Sequence, residues 1–228
     1  MKNIFKDFRS YFKSKNPYMM TGFDDYNKKH QALISPYILE ERELHVTQLD
    51  VFSRLMMQRT IFFTGEVEDT IAAVTQAELL YLDGTGVGDI NMYINSPGGS
   101  CSSGLGVVDT MNYIQSDVAT INVGMAASMG SLLLVSGARG KRRSLPNAEV
   151  LIHQPLIGGH GISGPTDDIT IEAEQMKMLK EKLFRIIAQR TGQPYEKIVE
   201  DARRDFWLTA EAALEYGCID EIIKVKLD

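Results

Sequence analysis

Three separate stretches of the sequence contain the residue types that acyl-transfer chemistry needs. Ser128 lies in "GMAASMGSLLL", His153 in "EVLIHQPL" and Asp205 in "EDARRDFWLTAEAA". A serine hydroxyl becomes nucleophilic when an imidazole accepts its proton and a carboxylate orients that imidazole. The three stretches can therefore be tested as parts of one hydrolytic site.

Ser128 stands where a strand is predicted to end and a buried helix to begin. Gly124, Ala126 and Ala127 leave the turn uncrowded, and the first amides of a helix are free to bind an oxyanion. The segment is not a G-x-S-x-G elbow, because Ala126 replaces the first glycine. On this stretch alone, a helix-capping serine is as good an interpretation as a nucleophile.

His153 follows an apolar run 25 residues after the serine. The carboxyl edge of a parallel sheet is where such folds build their sites, so a neighbouring strand end would bring the imidazole to Ser128. A core histidine bonded to a carbonyl is the alternative. The other histidines, His30, His45 and His160, are predicted to be solvated.

Asp205 is the most suggestive acid to orient the imidazole, because the rings of Phe206 and Trp207 could shield it from water. The residues alone leave two alternatives open: Asp201 is equally near, and Asp205 could be an exposed acid on a charged helix.

The stretch "INSPGGS" predicts a tight turn with bare backbone amides after a strand. Such a turn can donate to an oxyanion or accept an extended peptide by strand addition. It could equally be a simple turn. It is not a phosphate-binding loop, because no GK[ST] follows.

The elements that must position these residues alternate between strands and helices. Strands are predicted at "TIFFTG", "DINMYINS", "VATINVG", "EVLIHQP" and "IDEIIKVKL". Helices are predicted at "VEDTIAAVTQAELLYLDG" (closed by Gly84), after "GGSCSSG", from Ser128 to Ser136, from about Thr166 to Arg190, and in two shorter later segments. The alternation predicts an α/β fold with a parallel sheet covered by helices.

Composition sets the broad class. The 228 residues are 44% hydrophobic and 24% charged with a formal net charge of -6, which is typical of one globular domain and gives no support for nucleic-acid binding. No run is long and apolar enough for a membrane span. Cys101 and Cys218 lack ligand spacing, so we expect no metal site and a reducing cytosol. Residues 1–15 carry a net charge of +4, which predicts a frayed or removable extension; a membrane-surface helix or an organelle-targeting segment is the alternative.

Together these motifs resemble one family, the proteolytic subunits of Clp proteases (ClpP). "INSPGGS", "GMAASMGSLLL", "GARGKRRSLPNAEVLIHQPL" and "RRDFWLTAEAALEYGCIDEI" are similar to its signature blocks in order and spacing. The resemblance, which runs from about Pro36 to the carboxyl end, implies that Ser128 is the nucleophile, His153 the general base and Asp205 its orienter. It implies that the amides of Gly99 and Met129 form the oxyanion hole.

The resemblance also implies the architecture and the partners. The expected fold is a ClpP/crotonase-like spiral of ββα units with a protruding helix-strand handle. Two stacked heptameric rings would enclose a chamber supplied with unfolded polypeptides by an AAA+ unfoldase of the ClpX, ClpA or ClpC type. This subunit would need no cofactor, because the unfoldase uses the ATP. Neither nucleic acid nor membrane is expected as a partner, and the expected location is the cytoplasm.

The same resemblance divides the chain. Residues 1–35 would be an extension, expected to be a propeptide, with the mature start near residues 30–36. Residues 36–55 would be an axial gating segment and 56–228 the protease domain, with the handle at about 156–192. Tyr93 and Tyr113 would contribute to unfoldase docking.

Some residues depart from the family pattern. Asn91 stands where an aromatic is common in the docking pocket, and Arg203, followed by Arg204, stands where an acid usually makes an inter-ring ion pair. The handle connector is a few residues longer than usual, which could alter the contact between the rings.

Two other functions stay open. One is a catalytically silent scaffold or gating subunit in a mixed ring. The other is an acyl-CoA hydratase or isomerase of the same fold, which would not need the Ser128, His153 and Asp205 set. A fourth group of residues, Arg139, Lys141, Arg142 and Arg143, is interpreted as a solvated loop rather than a binding patch.

Overall fold

The computed structural model describes residues 37–42, 45–157, 161 and 163–226, with side chains from residue 50 onward. The predicted extension (1–35), its mature start, His30 and His160 lie outside the described residues, as does the side chain of His45. The chain divides into two compact units between Arg54 and Leu55.

The first unit contains an antiparallel hairpin. Strands β1 (Tyr37–Arg42) and β2 (His45–Asp50) pair so that Tyr37 faces Asp50. Asp50 then accepts hydrogen bonds from the amide (3.0 Å) and the hydroxyl (2.5 Å) of Ser53, which caps the start of helix α1 (Val51–Met56). The hairpin falls within the predicted gating segment, whose gating role stays a prediction.

The second unit is a seven-stranded sheet with helices between its strands. In chain order its elements are β3 (Thr60–Thr64), α2 (Asp69–Thr85), β4 (Ile90–Ser96), α3 (Cys101–Tyr113), β5 (Val118–Ala127), α4 (Met129–Val135), β6 (Arg142–Ser144), β7 (Glu149–Ile152), α5 (Thr166–Thr191), α6 (Tyr195–Asp201), β8 (Phe206–Leu208), α7 (Ala210–Tyr216) and β9 (Glu221–Ile222). Strands β3, β4, β5, β6 and β9 lie side by side and parallel.

Strand β5 has two different neighbours on one side, and this fork positions the later site. Its first half pairs with β6, where Thr120 faces Arg142. Its second half pairs with β7, where Met125 faces Glu149 and Ala127 faces Leu151. Strand β8 then adds antiparallel to β7.

A bulge separates the two halves of β5. From Ile94 to Ser96 strand β4 advances two residues, while β5 advances four, from Asn122 to Ala126. Extra residues in one strand bend it and re-aim the residues beyond the bend. The bulge therefore sets the direction in which β5 approaches α4.

Helix α4 lies in the core of this unit. All seven of its residues are buried, including Leu132, Leu133 and Leu134. Burial on every side fixes the helix firmly, because each such side chain contributes about 1.5–3 kcal/mol by leaving water. The residue immediately before the helix is therefore held on a rigid support.

The predicted fold class is confirmed, and the differences are local. Helix α2 continues through Gly84 to Thr85, and the predicted last strand is only β9. Strands β6 and β8, each three residues long, carry no periodic signal and were not predicted. The predicted handle helix is present as α5 and ends at Thr191, before the left-handed Gly192. None of the described residues of 153–165 is in a strand.

Candidate active site

Ser128 occupies the junction between β5 and α4 in a conformation that few residues adopt. Its φ is 55° and its ψ is -118°, a region that costs a non-glycine residue about 1–3 kcal/mol. Its carbonyl accepts hydrogen bonds from the Ser131 amide (3.0 Å) and hydroxyl (2.7 Å) and from the Leu132 amide (3.2 Å). These bonds and the buried helix hold the backbone in this strained position.

Ser128, His153 and Asp205 form a continuous hydrogen-bonded chain. Nε2 of His153 lies 2.8 Å from Oγ of Ser128, and Nδ1 lies 3.0 Å from Oδ1 of Asp205. The His153 side chain is 15% exposed, whereas that of Asp205 is 64% exposed. The first distance allows the imidazole to accept the hydroxyl proton of Ser128, and the second is a hydrogen bond that orients the ring.

Strand pairing explains how distant residues meet. The Ser128 amide donates to the Leu151 carbonyl at 2.9 Å, which continues the β5–β7 ladder up to the serine. Ile152 faces Phe206 in the antiparallel β7–β8 pair. His153 follows Ile152 and Asp205 precedes Phe206, so these two residues are the next pair in register.

Among the described residues, the structure does not show the contacts that the two alternatives require, in which Ser128 caps the helix and Asp201 orients the imidazole. The hydroxyl of Ser128 makes no cap hydrogen bond, whereas Ser100 caps α3 by accepting from the Ser103 amide. Asp201 accepts hydrogen bonds from the Tyr216 hydroxyl (2.8 Å) and the Lys197 ammonium (2.6 Å). Burial alone would raise the pKa of Asp201, but these two hydrogen bonds lower it.

The expected shielding of Asp205 by aromatic rings is not found. The neighbouring Trp207 is 50% exposed and Asp205 itself is open to solvent. Phe206 instead packs against Tyr216, with ring centroids 5.4 Å apart. In the single chain, water therefore reaches the carboxylate.

The glycine turn after β4 lies directly against Ser128. A Cβ built on Gly98 would be 2.5 Å from the Ser128 Cβ and 3.0 Å from the Met129 amide nitrogen, and its φ is +95°. Glycine is required here by both contact and conformation. Any side chain at this position would displace the serine.

The amides of Gly99 and Met129 have no acceptor among the described residues. The amides on either side of Gly99 are occupied: Gly98 donates to the Ser96 hydroxyl and Ser100 donates to the Val67 carbonyl. Free backbone donors in a turn and at a helix start can stabilise a developing negative charge.

Gln154 was missed by the sequence analysis although it follows His153 directly. Its amide donates to the Ala202 carbonyl (2.8 Å) and its side chain donates to the Arg203 carbonyl (3.1 Å). Lys180 of α5 donates to its side-chain oxygen at 2.9 Å. The residue joins α5 to the segment before Asp205. Only its position beside the histidine could have indicated this.

A polar cavity of about 590 Å³ opens next to the histidine and aspartate. It is lined by Gln154, Lys180, Glu200, Asp201, Arg203 and Arg204. Arg203 lies 3.5 Å from Glu200 of the same chain. The arginine that replaces the expected acid thus has a partner within its own subunit.

The residues predicted for docking lie elsewhere. Tyr93 is half-buried on β4 and stacks on Phe62 with ring centroids 5.2 Å apart. Tyr113, the last residue of α3, is 76% exposed. Their docking role stays a prediction.

The four basic residues predicted as a solvated loop are largely paired. Lys141 bonds Asp89 and Asp117, and Arg143 lies 3.3 Å from Glu221. Arg139 donates to the Gln189 carbonyl. Arg142 is buried, which the sequence did not predict.

Metal and disulfide chemistry find no support in the described part of the chain. No group of three or more His, Cys, Asp or Glu side chains is arranged to hold a metal there. Cys101 and Cys218 are free thiols, and burial raises the pKa of Cys218 to about 12. Within the same residues no helix combines the length and apolar character that a bilayer span requires.

Comparison with known proteins decides the family. The model of the family described as Clp protease matches residues 42–226. The chain belongs to the Clp protease family. The resemblance inferred from the motifs is therefore confirmed, and with it the predicted enzyme class, a serine endopeptidase.

Curated relatives match this Clp protease over most of its length. Two proteins named "ATP-dependent Clp protease proteolytic subunit" come from Bacteroides fragilis: that of strain YCH46 is 51% identical over 95% of this chain and 98% of its own, and that of strain ATCC 25285 is 54% identical over 88% and 96%. A protein of the same name from Porphyromonas gingivalis is 51% identical over 89% of this chain and 90% of its own.

Proposed function

We propose that this chain is the proteolytic subunit of an ATP-dependent Clp protease and that Ser128, His153 and Asp205 are its catalytic triad. The observation that carries the proposal is the pair of hydrogen bonds linking the three side chains, 2.8 Å and 3.0 Å long. Family membership supplies the reaction class, and this chain of bonds supports the choice of these three residues.

The reaction would proceed by covalent catalysis. Nε2 of His153 takes the hydroxyl proton of Ser128 as Oγ adds to the scissile carbonyl, and the same nitrogen then returns that proton to the leaving amine. Water, deprotonated by His153, then attacks the resulting acyl-serine ester, and His153 returns the proton to Oγ of Ser128 as the acid product leaves. Asp205 accepts the Nδ1 proton in a hydrogen bond throughout, which selects the tautomer with a free Nε2 and stabilises the imidazolium.

The amides of Gly99 and Met129 would bind the oxyanion that forms in each addition step. Their lack of acceptors among the described residues supports this role, as does the close approach of Gly98 to Ser128. Each such donor is worth about 10²–10³-fold in kcat in comparable enzymes. We propose no metal or organic cofactor for this subunit, because proton transfer and backbone donors complete the reaction.

The assembly and partners belong to the same proposal. The relatives' name includes ATP dependence, and this chain has no sequence motif for ATP phosphates. We therefore propose that an AAA+ unfoldase of the ClpX, ClpA or ClpC type consumes the ATP and feeds unfolded polypeptides to two stacked heptameric rings in the cytoplasm. The exposed ring of Tyr113 supports a docking role for that surface.

A non-catalytic ring subunit is the competing function. It predicts an assembled particle whose Ser128 is unreactive. The three hydrogen-bonded side chains favour the catalytic subunit, because a scaffold would not require an aligned nucleophile and base.

Labelling with a fluorophosphonate separates the two functions. The assembled, processed protein is treated alone and with its unfoldase, and mass spectrometry locates the adduct. We expect modification of Ser128, and loss of both labelling and peptide cleavage in Ser128→Ala without loss of the rings. Ser136→Ala is the matched control, because Ser136 ends the same helix and its buried hydroxyl has no partner among the described residues. Cleavage that persists in Ser128→Ala contradicts the triad; unlabelled Ser128 in the active assembly supports the scaffold.

A further inference from the structure

Asn122 is a fully buried amide at the fork of β5, and nothing in the catalytic proposal uses it. It is the last residue of β5 that pairs with β6, where it faces Ser144. Its backbone carbonyl accepts from the Leu145 amide at 2.9 Å as the chain leaves β6. The next strand on this side of β5 is β7, which begins at Glu149.

The side chain of Asn122 connects β5 to β7 across this change of neighbour. Its Nδ2 donates to the Glu149 carbonyl at 2.9 Å, at the first residue of β7. Its Oδ1 faces the Gly124 amide inside the bulge at 3.4 Å. A buried amide that satisfies backbone groups in this way fixes a single register, because any other register would leave these groups unpaired away from water.

Two hydrogen bonds extend the β5–β7 ladder, one near each end of the short β7. Asn122 bonds its start at Glu149, and the Ser128 amide bonds Leu151 near its end. His153 lies two residues beyond Leu151. A strand of four residues has few ladder bonds of its own, so a shift at its start is transmitted to the imidazole.

We infer that Asn122 is a positioning residue for catalysis: its amide sets the register of β7 on β5 and thereby the 2.8 Å contact between His153 and Ser128. The inference rests on the proposed function, because it assigns a role towards the triad. Asn122 touches neither substrate nor reacting atoms. Its effect is on the distance and direction of proton transfer, which lowers kcat and leaves KM unchanged.

The experiment compares Asn122→Asp with Thr120→Val in the assembled, full-length protein. The aspartate keeps the size and the oxygen facing Gly124 but replaces the donor to Glu149 with an acceptor. Thr120 lies two residues earlier on the same strand, is equally buried, and donates to the Leu134 carbonyl at 2.8 Å, with no bond to β7. Thr120→Val removes a comparable buried hydrogen bond without disturbing the fork.

The rate of fluorophosphonate labelling at Ser128, kcat, KM and the thermal midpoint are measured for each variant. We expect both variants to lose thermal stability, but only Asn122→Asp to lose labelling rate and kcat, by about 10- to 100-fold with KM within about twofold, since small misplacements of reacting groups have effects of this size. Asn122→Ser, which is too short to reach Glu149, should behave in the same way and serves if the aspartate variant does not assemble.

The outcomes separate this inference from the function on which it rests. Wild-type labelling in the assembled Asn122 variant overturns the inference, as does an equal loss of labelling in Thr120→Val. Labelling or cleavage that persists in Ser128→Ala overturns the proposed function instead. A crystal structure of Asn122→Asp should show the His153–Ser128 distance lengthened beyond hydrogen-bond range.

Discussion

Strands β6 and β7 flank the two halves of β5, and a carboxylate binds a basic side chain on or just beyond each of them. Beside the first half, Asp220 binds Arg142 of β6; beyond the second half, Asp205 binds His153 after β7. The Arg142 side chain is 6% exposed and Asp220 21%, whereas Asp205 is 64% exposed. The same sheet thus builds one closed pair and one open pair.

The two pairs differ in how many of their hydrogen-bonding groups are occupied. Arg142 donates two bonds to the Asp220 carboxylate (2.9 and 2.5 Å) and one each to the carbonyls of Arg190 and Gly217 (2.9 Å). The imidazole of His153 uses one nitrogen for Asp205 and keeps the other for the Ser128 hydroxyl. A saturated pair stabilises the fold, and a pair with one exchangeable proton can do chemistry.

Substitutions in the open pair should have the largest effects on activity. His153→Ala removes the proposed proton acceptor and should lower kcat by at least about 10³-fold. Asp205→Asn should have an effect roughly 10- to 100-fold smaller, because water already reaches this carboxylate and can solvate the imidazolium in its place. Peptide cleavage by the assembled variants gives both values. Equal losses would show that Asp205 is shielded in the assembly, which would weaken the comparison.

Substitution in the closed pair should change stability and spare the chemistry. Asp220→Asn leaves Arg142 buried without its counter-ion and should lower the free energy of unfolding by about 3 kcal/mol. Glu221→Gln is the matched control, because its pair with Arg143 is exposed and worth less than about 1 kcal/mol. Denaturant unfolding measures both, and the labelling rate of the folded protein should stay unchanged. A slowed labelling rate would mean that the two halves of β5 are not independent.

The pH dependence of the closed pair follows from its geometry. Burial alone would raise the pKa of Asp220, but the hydrogen bonds from Arg142 lower it below its usual value near 3.8. A carboxyl with a lowered pKa in the folded state contributes stability above that usual value and loses it as the pH falls through the folded pKa. Wild-type protein should therefore lose stability relative to Asp220→Asn only below about pH 4.

The sequence predicted the open pair better than the closed one, for a physical reason. Small residues before Ser128 and an apolar strand before His153 are local signals of a strand end. The choice of Asp205 over Asp201 is not local, because it depends on the antiparallel pairing of Ile152 with Phe206 in a strand of only three residues. Family resemblance, not periodicity, supplied that residue.

The sequence contains no comparable local signal for the Arg142–Asp220 pair or for the fork at which β5 changes its neighbour from β6 to β7. Arg142 stands in a run of basic residues that is typical of a solvated loop, but in the folded chain it is buried and bonds Asp220 and the carbonyls of Arg190 and Gly217. The role inferred for Asn122 depends on the bulge in β5 and on the change from β6 to β7 as the neighbouring strand, and neither can be seen in the sequence. The register between strands and the burial of a side chain across a sheet depend on tertiary structure. An alternating hydrophobic pattern within one strand therefore does not predict them.

A third carboxyl, that of Glu78 on α2, extends the comparison to a half-buried group without a partner charge that shifts its pKa, and its substitution should have the smallest effect. Burial is the cause that raises its pKa to about 7. Such a group is neutral in the folded protein and charged in the unfolded chain between about pH 4.5 and 7, so folding binds a proton and stability falls as the pH rises through that window. This pH dependence of stability has the opposite sign to that of Asp220, whose contribution is lost as the pH falls.

Glu78→Gln removes this titration and should stabilise the protein at about pH 8 by about 1–2 kcal/mol, with little difference at about pH 4.5. Glu215→Gln, an exposed carboxyl on α7, is the control and should change stability at neither pH. Thermal midpoints at fixed protein concentration measure the four differences. If Glu78→Gln is less stable than wild type at the higher pH, Glu78 is charged and paired in the assembly. It would then stabilise the fold in the same way as Asp220.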